Sequence, residues 1–181
     1  MTRSLPDEAS LRRHGARVRD AVRYHLGLRH PAAHAHLDRF VDRPVDDLGV
    51  GHLKLDYNID AGSEMSSRAD ESPADGLLGH HRAHLDWLGG ILGRHPHFVL
   101  ENCASGGMRA DYALLSRLPL HSTNDQRNLL LYAPIAAAAP TAVTPKQGAI
   151  WSYPTAADCL DKVAHHGQLP PGAYPSAGPP A

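Results

Sequence analysis

Two aspartates in this chain stand where a carboxylate can do chemistry. Asp56 nearly closes the run His52-Leu53-Lys54-Leu55-Asp56-Tyr57-Asn58, and Asp125 follows Leu118-Pro119-Leu120-His121-Ser122-Thr123-Asn124. Between them a third apolar run breaks into Glu101-Asn102-Cys103-Ala104-Ser105-Gly106-Gly107. Three strand-like segments that each turn polar at the C-terminal end are what a (β/α) barrel uses to build an active site. One strand lies between the two aspartates, so both would occupy the same rim of the barrel mouth. Such a pair suits glycoside cleavage. In a retaining reaction one carboxylate attacks the anomeric carbon and the other protonates the leaving oxygen, at a separation of about 5–5.5 Å; an inverting pair stands farther apart.

Lys54 precedes Asp56 by two residues, on the same side of a strand whose side chains alternate. Its ammonium could hold Asp56 ionised while donating to a sugar hydroxyl. A Lys and an Asp alternating inside an apolar strand are costly to bury without such a role. The ordinary alternative for Lys54 is a charge snorkelling from a strand end, and for each aspartate a helix N-cap or loop brace. Ser122, Thr123 and Asn124, all capping residues, sharpen that alternative at Asp125. The turn from Cys103 to Gly107 admits three readings. A nucleophilic Cys103 needs a partner base that the sequence does not identify, and a phosphate cradle needs a fuller Gly-rich fingerprint with its Lys. Gly106 and Gly107 do let backbone N–H groups come close to a neutral ligand such as a sugar, and this third reading is preferred.

The elements that must position these residues follow from periodicity. Residues 5 to 25 read as a helix opened by Pro6, Asp7 and Glu8, rich in Arg and poorly amphipathic. A second helix begins at Pro31, turns Ala33, Leu37, Phe40 and Val41 toward the core, and breaks before Pro44; Gly49 returns the chain to strand. Gly51 to Tyr57 alternates Leu53, Leu55 and Tyr57 with Lys54 and Asp56, the period of a strand with two different faces. Residues 58 to 76 have the composition of a long functional loop. Leu77, Leu78, His81, Leu85, Leu88, Ile91 and Leu92 then mark an amphipathic helix ending near Gly93. A strand from His97 to Asn102, a small-residue turn, a helix from Met108 to Arg117 and another strand complete a β-α-β-α-β order. Crossovers of this kind force parallel pairing and an α/β fold.

The chain has 181 residues, short of the roughly 250 of a full eight-stranded barrel. The expectation is therefore an incomplete (β/α)8 TIM barrel. Its 18 Lys plus Arg nearly cancel 19 Asp plus Glu, which favours a small neutral substrate over nucleic acid or an anionic membrane. Neither a membrane span nor a signal-peptide core is visible, so the expected location is cytoplasmic. Two cysteines, Cys103 and Cys159, build no disulfide framework. Fourteen histidines invite a metal reading through His34-x-His36, His80-His81 and the His80 and His84 pair. No third ligand stands in clean spacing beside them, so these read as solvated histidines on helix faces and no metal is expected.

Three segments are recognisable together. Leu53-Lys54-Leu55-Asp56-Tyr57-Asn58, Glu101 through Arg109, and Ser122-Thr123-Asn124-Asp125-Gln126 resemble, in order and spacing, the signature segments of melibiase-like α-galactosidases, glycoside hydrolase family thirty-six. Gly76-Leu77-Leu78-Gly79-His80, Leu85-Asp86-Trp87-Leu88 and the run from Tyr132 to Pro140 extend the match. What the resemblance implies is a retaining α-galactosidase with Asp56 matching the nucleophile and Asp125 the general acid/base. Lys54, Cys103, Gly106 and Gly107 match positions that line the galactose pocket, and His121 falls where the family varies a contact residue. No cofactor is implied; the partner is a small neutral α-galactoside, with a homo-oligomer open. Gly27, Asn124 and Lys146 depart from the family pattern. Three parts are expected: residues 1–25, an N-terminal helix outside the match; 26–154, a partial barrel catalytic domain; and 155–181, an irregular, disordered tail. The alternative is a non-catalytic barrel remnant with at most weak sugar binding.

Overall fold

A computed structural model describes residues 5–20, 23–58, 70–126 and 128–149. The expected tail at 155–181 and most of the expected loop at 58–76 lie outside the described residues.

The N-terminal stretch is not the helix expected. A single 3-10 turn at Asp7–Ala9 leads into two short antiparallel pairs, β1 (Arg12–Arg13) with β2 (Ala16–Arg17) and β3 (Arg19–Asp20) with β4 (Arg23–Tyr24). Leu11 and Val18 are the only large aliphatic residues from Leu11 to Tyr24 apart from the undescribed Val22, too few for an apolar helical stripe. His14 and Gly15 take positive φ, 50° and 78°, and turn the chain back on itself. Leu11 then donates to His25 O at 2.8 Å and accepts from Val18 N at 2.8 Å, so backbone bonding replaces a helix. Arg17 lies 3.8 Å over the Tyr24 ring.

From residue 31 helices and parallel strands alternate: α1 (Pro31–Leu48), β5 (His52–Asp56), α2 (Pro73–Arg94), β6 (Val99–Cys103), α3 (Tyr112–Leu115), β7 (Leu120–Ser122), α4 (Leu129–Ala138) and β8 (Gly148–Ala149). β5, β6, β7 and β8 pair in that order, all parallel. Helix α1 runs through Pro44 for another turn instead of breaking before it. Gly49, at φ 66°, caps it by donating to Val45 O, and Val45 packs on the core, so tertiary contact and a left-handed cap outweigh the one backbone bond Pro44 removes. Phe40 is 65% exposed rather than inward: Ala33, Leu37 and Val41 repeat every four residues along the packed face, and Phe40 lies off that line. Helix α3 is a single turn, four residues where Met108 to Arg117 was expected. Asp111, whose side chain accepts from Leu114 N at 3.0 Å, starts it late, and the residues before are held in the glycine turn.

The sheet has two unlike faces. On one, Leu53, Leu55 and Leu100 meet Val41, Trp87, Leu88, Ile91, Phe98, Leu114 and Leu118, which form the core under α1, α2 and α3. Each large aliphatic there contributes about 1.5–3 kcal/mol by leaving water. Trp87 Nε1 donates to Asp38 at 3.1 Å and Arg94 reaches Asp38 at 2.7 Å, tying α2 to α1. The other face carries Lys54, Asp56, Glu101, Cys103 and Ser122. Among the described residues no helix is long and apolar enough to cross a membrane.

Candidate active site

Register and alternation assemble the site. Lys54 pairs with Glu101 and Asp56 with Cys103 across β5 and β6, so these four side chains share the face opposite the core. Glu101 pairs with Leu120 on β7, which puts Ser122 on that face as well. Asp56 and Asp125 are both exposed, Lys54 is half-buried, and Glu101 and Cys103 are fully buried beneath them. On this face the exposed Asp56 carboxylate therefore stands with one half-buried cation, one buried acid and one buried thiol, and Asp125 is exposed in the loop that follows β7.

Electrostatics define what each group is at neutral pH. Burial pulls the Lys54 ammonium down, but Cys103, Glu101 and Asp125 outweigh it and the net direction is up, so Lys54 is a cation. Lys54 is also coupled electrostatically to Tyr132 on α4, whose hydroxyl burial pushes up. The Cys103 thiol is raised, first by burial and also by Asp56, against the lowering pull of Ser122, the Gly106 N–H and Lys54. It stays protonated at neutral pH, which removes the nucleophilic-cysteine reading of this turn. Ser122 Oγ donates to Glu101 Oε1 at 2.6 Å, and His52 Nε2 lies 3.3 Å from Glu101 Oε2. Glu101 is thereby held next to Lys54 by groups from the two strands that flank its own.

The glycines act on the loop that carries Asp125. Gly106 sits at φ +78°, and a Cβ there would lie 2.2 Å from Asn124 Cα; one on Gly107 would lie 3.2 Å from Thr123 O. Only glycine allows the β6 turn to lie directly on the backbone just ahead of Asp125. The close approach expected of these glycines is therefore made first to protein. Asn124 Oδ1 accepts from Gln126 N at 2.9 Å, closing an Asx turn around Asp125. On the β5 side Asn58 Oδ1 accepts from Ser105 N, joining the two rim loops.

His121, expected among the sugar contacts, is set apart from the others. It alternates with Ser122 and so lies on the core side, fully buried. Asn102 Nδ2 donates to its Nδ1 at 3.2 Å, which leaves the proton on Nε2 to donate to Leu118 O at 3.0 Å. Burial lowers its pKa, so it is a neutral structural imidazole. His80 and His84, expected on a solvated helix face, are likewise buried. Burial and the neighbouring cations push them down to about 3 and about 4. Among the described residues no three His, Cys, Asp or Glu side chains converge as a metal-holding group.

Glu101, Ser122 and Tyr132 belong to this neighbourhood and were not singled out from sequence. For Glu101 the signal was present: it is two residues before Cys103 on one strand, as Lys54 is before Asp56.

No family model matches the chain, and no curated protein matches it in sequence. Solved structures do match. The α-galactosidase from Lactobacillus brevis superposes with a TM-score of 0.63 over 78% of this chain at 19% identity. The galactosidase domain of AgaSK, an α-galactosidase–sucrose kinase, gives 0.60 over 78% at 20% identity. A variant of the GH36 α-galactosidase AgaA from Geobacillus stearothermophilus, in complex with 1-deoxygalactonojirimycin, gives 0.63 over 75% at 15% identity. Each match takes in 19% of the other protein, so this chain spans about a fifth of their length. The chain resembles GH36 α-galactosidases in fold, as a part of their α/β architecture.

Proposed function

We propose that residues 26–154 are a partial (β/α)8 barrel carrying the catalytic rim of a retaining glycosidase for terminal α-linked galactosides. The observation that supports this reading is that Lys54 shares one face of β5 with Asp56 and is coupled electrostatically to Asp125 in the loop after β7. In the reaction the Asp56 carboxylate attacks the anomeric carbon as the glycosidic C–O bond breaks, and Asp125, protonated, gives its proton to the leaving oxygen. A glycosyl ester on Asp56 results. Asp125, now ionised, takes a proton from water as that water displaces Asp56 and restores the carboxylate. Lys54 supports the Asp56 carboxylate before attack and again as deglycosylation restores it, and donates to a sugar hydroxyl, while Cys103, Gly106 and Gly107 shape the pocket wall. His121 takes no part. The buried, protonated thiol fits a reducing compartment, which goes with a cytoplasmic location. No organic cofactor or metal enters this scheme.

The second reading, a non-catalytic remnant that binds sugar weakly, is favoured by one observation: among the described residues the sheet is open, with β5 and β8 as its outer strands. An aryl α-galactoside assay separates the two. Turnover by the parent chain that falls at least a thousandfold in Asp56→Asn, and recovers for an activated leaving group in Asp125→Asn, supports the enzyme. A baseline rate shared by parent and variants, with galactose still bound, is the outcome for the remnant.

A further inference from the structure

We propose that His80 is a positioning residue for Asp56, acting through Tyr57 rather than on the substrate. The inference deepens the glycosidase reading and takes from it the role of Asp56.

Asp56 is the last residue of β5, an outer strand of the sheet, and a strand end on the rim is where local fraying begins. The residue after it is firmly held. Tyr57 N donates to Cys103 O at 2.8 Å, carrying the β5–β6 ladder one residue past the strand. Its side chain alternates away from Asp56, toward α2, where the phenol oxygen lies 2.9 Å from Nε2 of the fully buried His80. Arg109 covers the ring at 3.9 Å and its Nε donates to the Tyr57 carbonyl at 3.0 Å, while His84 meets the ring edge-on at 5.4 Å between centroids.

The backbone around His80 settles which way that bond runs. Leu28 N–H lies 3.3 Å from His80 Nδ1 and can only donate, so Nδ1 accepts. A neutral ring then carries its proton on Nε2 and donates to the tyrosine oxygen. The histidine is thus a fixed donor, bolted at one nitrogen to the N-terminal segment and at the other to the residue next to the carboxylate. Rotation of the Asp56 Cα–Cβ direction requires movement of the Tyr57 peptide, and that movement breaks the His80 bond, the Arg109 bond and the ladder bond together. Misplacement of a reacting group by about 1 Å can cost on the order of a hundredfold in rate.

The experiment uses the whole chain and three variants, Tyr57→Phe, His80→Leu and His80→Gln, the last placing an amide donor near the position of Nε2. Expected on an aryl α-galactoside is a kcat lower by about ten- to a hundredfold in Tyr57→Phe and His80→Leu, with KM within about twofold, and recovery of most of kcat in His80→Gln. Parent-like kcat in Tyr57→Phe and His80→Leu, or losses that follow the thermal midpoint without rescue, would overturn the inference. Protein labelled with carboxyl-13C aspartate gives a readout free of turnover, the Asp56 resonance being assigned by its loss in Asp56→Asn. A shift of that resonance in Tyr57→Phe, with Asp125 unmoved, upholds the positioning role even where the parent turns over no galactoside and the glycosidase reading fails; an unmoved Asp56 resonance overturns the positioning role alone.

Discussion

The tip of β5 and the loop after β7 each present one carboxylate, and they hold it by different means. Asp56 stands at the end of a regular ladder, with the residue after it locked into a half-buried hydrogen bond and a cation stack. Asp125 stands three residues beyond its strand, in a loop whose place is set by backbone lying on backbone at Gly106 and Gly107. One carboxylate depends on side chains that titrate, the other on the absence of a side chain. A rim built this way should fail in two separable ways.

The larger effect is expected at the glycine. Gly106→Ala forces a left-handed φ on an L-residue and drives a methyl into the Asn124 backbone, so the two loops must part. The expected cost is about 4 kcal/mol in urea unfolding, with the role proposed for Asp125 lost and the Asp56 environment retained. A parent-like urea midpoint in Gly106→Ala would mean that the two loops do not touch as described.

Acid should attack the other tip. Burial first, then the surrounding cations, hold His80 at about 3 and His84 at about 4 in the folded protein, below the value near 6.5 of an unfolded chain. The unfolded state therefore takes up protons first as pH falls. Stability from these neutral rings is complete above pH about 6.5 and declines steadily toward pH 4 and below. For His80 the loss at pH 4.5 is on the order of 3 kcal/mol. Urea midpoints at pH 7.5 and 4.5 measure it, and His80→Gln should flatten the difference. Equal slopes in parent and variant would show that His80 does not carry it.

The fold was legible where chemistry and periodicity agreed. Alternation in Leu53-Lys54-Leu55-Asp56 marked β5 and gave Lys54 and Asp56 a common face, and apolar spacing marked α2 from Leu77 to near its C-terminal end but missed its first turn, which starts at Pro73 behind the Ser72 cap and reads as loop by composition. The first 25 residues were not legible, because an Arg-rich stretch without apolar period says little about whether it coils or folds back as hairpins. The buried histidines of α2 escaped for a different reason. The stripe through Leu77, Leu78, His81 and Leu85 reads as the inner face by spacing, but Leu78 is 47% exposed while His80, His84 and Trp87 face inward. Polar residues were counted as outside although neighbours just past β5 and in the N-terminal segment satisfy one of them on both ring nitrogens. Length and pattern alone did not place α3 either, since its start depends on Asp111 as cap and on the glycine turn before it.

His121 provides the smallest and most discriminating effect, because it divides the front of the sheet from the back. The parity argument that joined Lys54 to Asp56 applies equally to β7: Ser122 shares a face with Cys103, so His121 cannot. It instead ties Asn102 to the Leu118 carbonyl within the core side. His121→Ala would open a cavity and leave the Asn102 amide short of an acceptor, at a cost of about 2 kcal/mol in urea unfolding. On the glycosidase reading proposed above, galactose binding should hardly change, with a dissociation constant within about twofold of the parent, since the ring lies on the sheet face opposite Lys54 and Asp56. A variant of parent-like stability that binds galactose tenfold more weakly would return His121 to the pocket wall and reverse the register on which the whole front face is built.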